Sequence, residues 1–136
     1  MYETFEHTAD LGLRVQAPDL ETLFAEAARG LFSMIVTDLD SIRRVEQISF
    51  KLDGKVSELL LFDWLNELLF TYETQHLLLA QFDVRFGASG LRADAKGEPI
   101  DRSRHVLDHE VKAITYHGLK LLPSNKHWMA EVIVDI

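Results

Sequence analysis

Cysteine is absent from this chain, and in 136 residues proline occurs only three times and glycine seven. Without cysteine there is no disulfide, no thiolate nucleophile and no cysteine-ligated zinc, which fits a reducing compartment and makes the cytoplasm the expected location. Basic charge is also scarce: 14 Lys and Arg stand against 22 Asp and Glu, a net charge of -8. Such a surface repels phosphate backbones and gains nothing from counterion release, so direct nucleic-acid binding is not expected. Apolar runs are broken by charge before they reach membrane-spanning length, and Met1-Tyr2-Glu3-Thr4-Phe5-Glu6 has neither a basic region nor an apolar signal core. No membrane association is expected. The glycines are scattered among turns, and no nucleotide-binding loop, nucleophile elbow or zinc-protease motif occurs.

What the chain does contain is apolar material, 47% of its residues. That suffices for one domain over residues 1–136 burying roughly two-thirds of the surface its unfolded form exposes. Residues 2 to 8 and 12 to 17 read as short strands, broken at Asp10-Leu11-Gly12, where glycine permits a turn. Asp19 is placed to cap a helix ending near Thr37, in which Leu20, Leu23, Phe24, Ala27, Ala28, Leu31 and Ile35 form one apolar face. Residues 42 to 52 fit a strand with a bulge, followed by a turn at Asp53-Gly54.

A second helix carries its main stripe on Val56, Leu60, Trp64, Leu68 and Tyr72, and further apolar residues widen it almost all round, so burial on more than one side is expected. Leu78 to Phe86 alternate cleanly and return through Ala88-Ser89-Gly90 as a hairpin, followed by a polar loop at 96 to 104. Residues 105 to 117 and 128 to 136 read as the last strands, with a turn at Pro123-Ser124-Asn125-Lys126. This order predicts an α+β domain with two α-helices packed on a largely antiparallel β-sheet.

The final strand, Trp128 to Ile136, ends on an acid beside the terminal carboxylate. If Val132 and Val134 face a core, the strand carries Asp135 and the carboxylate of Ile136 to a fixed place, as two hard oxygen donors suited to calcium or magnesium. The plainer reading is a closing strand with solvated acids. A second polar cluster, His7-Thr8-Ala9-Asp10-Leu11-Gly12, could supply Asp10 as a ligand with His7 or Thr8 orienting its carboxylate, or could be an ordinary Asx turn. Asp63, Asn66 and Glu67 share one face of the second helix, which either approaches a site or a partner or is its water-facing side, the reading that amphipathicity alone explains. Between His105 and His117, alternation puts Asp108, Glu110, Lys112, Ile114 and Tyr116 on one face. Lys112 could balance carboxylates or grip a partner's acid, or form an ordinary cross-strand ion pair. His105 and His109 lack the third ligand that zinc requires.

Taken together, His7-Thr8-Ala9-Asp10-Leu11-Gly12, Asp63-Trp64-Leu65-Asn66-Glu67-Leu68-Leu69, Val111-Lys112-Ala113-Ile114-Thr115-Tyr116-His117 and the terminal Val132-Ile133-Val134-Asp135-Ile136 resemble the archease family over essentially the whole chain. The resemblance implies a small non-enzymatic protein that activates an RtcB-type tRNA-splicing or RNA-repair ligase, promoting guanylylation of the ligase's active-site histidine and multiple turnover. It also implies a metal site at Asp10, Asp135 and Ile136, with calcium the expected divalent ion, and a partner-activating lysine at Lys112. Leu11 stands where the family more often has Val or Ile, a change that keeps the site apolar. Two rivals remain open: a small metal-dependent hydrolase using Asp10 and Asp135, and a chaperone-like modulator of RNA-processing proteins binding through exposed apolar patches.

Overall fold

The computed structural model describes residues 1–7 and 10–136, with His7 described by its backbone alone. Seven strands and two α-helices are arranged as β1 (Tyr2–His7), β2 (Asp10–Ala17), α1 (Leu20–Ile35), β3 (Glu46–Asp53), α2 (Glu58–Gln75), β4 (Leu77–Gly87), β5 (Gly90–Pro99), β6 (Ala113–Ser124) and β7 (His127–Asp135). The strands form two antiparallel sheets, one ordered β1-β2-β7-β6 and the other β3-β5-β4. The α+β architecture with two helices is therefore present, with the strands divided between two sheets.

Both helices start where a side chain satisfies an amide that the first turn leaves open. Asp19 Oδ1 accepts from the Thr22 N–H at 2.7 Å, and Ser57 Oγ accepts from the Leu60 N–H at 3.3 Å. Leu23, Phe24, Ala27, Ala28, Leu31 and Phe32 of α1 are fully buried, packed against β2 and β4, so α1 ties the two sheets together. Trp64 of α2 is also fully buried, its indole N–H donating to the Phe24 carbonyl at 3.0 Å. Its ring meets Phe50 and Phe82 edge-on, which joins the second helix to the three-stranded sheet. The nearly all-round apolar surface expected of α2 is only partly buried: Leu60, Leu61, Trp64, Leu65 and Leu68 are inside, whereas Leu59 and Phe70 are 55% and 60% exposed.

Four local expectations are corrected. Gly12 makes no turn: it lies inside β2, and the Phe5 ring sits where a Cβ would be, so close ring packing explains the glycine. The strand expected from residue 42 starts at Glu46, because a 3-10 turn at Leu39–Ser41 brings Ile42 into the core; the bulge lies in β4 between Leu79 and Gln81. The polar stretch from Lys96 is not yet loop, since β5 continues to Pro99 and Gly97 pairs with Leu79.

Residues 105 to 112 are not a regular strand. The amides of Asp108 and His109 donate to the carbonyls of Ile35 and Met34 at 2.8 and 2.9 Å, so this segment closes the C-terminal end of α1 and reaches β7 only at Lys112. The β6–β7 turn follows expectation: Asn125 and Lys126 both adopt positive φ, 47° and 67°, as a two-residue hairpin turn requires.

Candidate functional site

The four-stranded sheet brings three segments to one end. Asp10, the first residue of β2, lies directly opposite Asp135, the last of β7, and Asp135 lies opposite Ala113, the first of β6. The Lys112 N–H donates to the Asp135 carbonyl at 2.8 Å. Ile136 follows Asp135, so Asp10, Asp135, Ile136 and the Lys112 backbone converge although they come from both ends and the middle of the sequence. Leu13, Val15, Val132 and Val134 are fully buried on one face of these strands. Period-two alternation therefore sends Asp10 and Asp135 to the other face, where each is half-buried.

Directly opposed residues in an antiparallel pair have Cβ atoms roughly 5 Å apart, and like charges there repel. Among the described residues, no Lys, Arg or His nitrogen lies within 4.0 Å of either carboxylate. A few residues down the same face the opposite holds: Glu131 receives the Arg14 Nε–H at 2.7 Å and has Lys120 Nζ at 3.8 Å. Two hard carboxylates that no described side chain neutralises are a donor set that fits a calcium- or magnesium-like ion. Among the described residues no three His, Asp or Glu side chains cluster closely enough to hold a metal; Asp10 and Asp135 are the two described side-chain donors at this end.

A second ionic cluster, which sequence reasoning missed, lies under the segment leading to Lys112. Glu98 and His105 are 5% and 3% exposed. Glu98 accepts from the Arg104 guanidinium, from the Arg43 backbone N–H at 2.7 Å and from His105 Nε2 at 2.8 Å. The Asp101 N–H donates to His105 Nδ1 at 2.9 Å, which fixes the tautomer: Nε2 carries the hydrogen that Glu98 receives. Burial pushes the Glu98 carboxyl up, but donation from Arg104, the Arg43 amide and His105 outweighs it and holds the group at about 2. Every member is partnered, so the cluster is a structural tie. Its one signal in the sequence was the Asp-x-x-Arg-His run of residues 101–105, where the expected polar loop meets the expected strand.

The Archease protein family model matches residues 2–136. The chain belongs to the archease family. It is 40% identical over 139 residues to a protein archease of Methanopyrus kandleri, covering 99% of each chain, and 38% identical over 144 residues to that of Pyrococcus furiosus, covering 99% of this chain and 98% of the relative. The solution structure of Methanobacterium thermoautotrophicum protein 1598 superimposes with a TM-score of 0.86 at 33% identity, over 99% of this chain and 98% of that one. The crystal structure of an archease from Thermotoga maritima, described as a possible chaperone, shares the fold at 21% identity and a TM-score of 0.69, over 100% of this chain and 98% of that one.

Within this archease fold, the residues singled out from sequence fall into three groups. Asp10, Asp135 and Ile136 meet at the sheet end. Lys112 joins them through its backbone and also lines a groove with Asp63, Asn66 and Glu67 of α2, and its ammonium pairs with no carboxylate within 4.0 Å among the described residues. The orienting roles considered for His7 and Thr8 lie outside what is described, since Thr8 and the His7 side chain are not among the described residues. The alternating face imagined for Asp108, Glu110 and Lys112 does not exist, because that segment is not a strand. No described helix is long and apolar enough to cross a membrane.

Proposed function

We propose that this protein activates an RtcB-type RNA ligase, docking its carboxylate tip at the ligase's nucleotide- and metal-binding cleft and promoting guanylylation of the active-site histidine so that the ligase turns over repeatedly. The observation that carries this reading is the pairing of Asp10 with Asp135 at one end of the four-stranded sheet, in a chain that matches the archease family over residues 2–136. Asp10 and Asp135 are the side chains that would hold a divalent ion, with the carboxylate of Ile136 as a third donor and calcium as the expected ion. When bound, the ion neutralises carboxylates that otherwise repel and presents positive charge to phosphate oxygens.

The protein's own groups do the rest. The hydrogen bond from Lys112 to Asp135 fixes the lysine's backbone beside the tip, so that its ammonium can meet an acid or phosphate at the docked surface. The net charge of -8 favours a basic, RNA-binding protein over RNA itself as partner, and the reading places the protein in the cytoplasm with its ligase.

The test is to mix the protein with an RtcB-type ligase, GTP and limiting divalent metal, and to follow covalent guanylate on the ligase over successive turnovers. A rise that depends on the protein, with no phosphate or ester released by the protein alone, is the expected result. Release by the protein alone would point instead to a metal-dependent hydrolase.

A further inference from the structure

Asp63, Asn66, Glu67, Phe70 and Glu73 lie at offsets of three, four, seven and ten residues, which places them along one side of α2. All five border a groove of about 530 Å³ whose opposite wall includes Lys112. Amphipathicity accounts for polar residues on the outside of a helix. It does not account for a phenylalanine 60% exposed in the middle of them.

Nor is the charge favourable to the helix itself. Asp63 and Glu67 are like charges one turn apart, Glu73 sits near the negative end of the helix dipole, and the last turn holds no basic residue to offset it. Among the described residues, none of the three carboxylates has an ion-pair partner within 4.0 Å, although Lys112 lines the same groove.

We propose that this groove is a docking surface for a basic, arginine-bearing segment of the protein partner, and that it runs on from the carboxylate tip as one continuous interface. Charge complementarity selects the occupant: three carboxylates to one ammonium attract a cationic segment, and an exposed aromatic face is a platform on which a guanidinium stacks. Continuity supplies the second argument, because Lys112 both lines the groove and bonds Asp135 through its backbone. RNA is repelled by the same charges. The proposal rests on the ligase reading, and adds to it a second contact that grips the partner while the tip acts.

The experiment measures the affinity of the full-length protein for an RtcB-type ligase by calorimetry at low and moderate salt. Wild type is compared with Asp63→Lys/Glu73→Lys and with Phe70→Ala, all at exposed positions, and melting curves check that each variant folds. Charge reversal is expected to weaken binding at least ~10-fold and to flatten the salt dependence, and Phe70→Ala to weaken it roughly 5-fold. Affinities within about twofold of wild type, with wild type still binding and stimulating the ligase, overturn the groove and leave the ligase reading standing. A wild type that neither binds nor stimulates any such ligase overturns both. Binding of tRNA by wild type that Phe70→Ala abolishes overturns the choice of a protein occupant.

Discussion

Two carboxylate sites in this molecule are treated in opposite ways. Glu98, in the interior, is met by a guanidinium, a backbone amide and an imidazole, so each of its oxygens is satisfied. Asp10 and Asp135, at one end of the four-stranded sheet, face each other across a strand pair with no cation beside them among the described residues. The difference separates charge that is paired inside the fold from a carboxylate pair that no described side chain neutralises.

That contrast can be broken most forcefully at Glu98. Glu98→Ala leaves His105 and the Arg43 amide without their acceptor, and is expected to cost about 3 kcal/mol, a fall in Tm of roughly 10 °C in a scanning calorimeter. A loss below about 1 kcal/mol would show that the cluster is not a tie. Acid gives a second handle on the same group. The folded carboxyl is held at about 2, below its ordinary range, so its contribution is fully present above the unfolded value of roughly 4.3. It is lost as the pH falls from there through about 2, and urea midpoints taken across that window should show wild type losing stability more steeply than Glu98→Gln. The smallest effect belongs to the tip: Asp135→Asn removes a like-charge opposition and should shift metal-free stability by no more than about 0.5 kcal/mol, in the stabilising direction. Destabilisation comparable to Glu98→Ala would make the tip structural and erase the contrast.

Much of the fold was legible because local chemistry and tertiary packing agree. Asp19 before an apolar stripe read as a capped helix and is one, and the alternation from Leu78 to Phe86 read as a strand and is one. Where they diverged, hydrogen-bond demand elsewhere decided. The alternation of residues 105 to 112 resembles a strand, but the open carbonyls of Met34 and Ile35 claim its amides. Lys96 and Glu98 look like loop, but pairing with β4 and the burial of Glu98 place them in β5.

The candidate site was legible in its parts only. Asp10 and Asp135 each stood out beside a strand, yet a separation of 125 positions hides their opposition, which only the β2–β7 register brings about. The link from Lys112 to α2 was invisible for the same reason: nothing along the chain reports that the start of β6 faces Asp63 and Glu67 across a groove.

The most direct test of the tip is the rate of covalent guanylate formation on an RtcB-type ligase with limiting divalent metal, comparing wild type with Asp135→Asn at matched stability. If the opposed carboxylates are the acting site, the variant folds as well as wild type and loses at least ~10-fold of the stimulation. Full stimulation by Asp135→Asn would contradict the account.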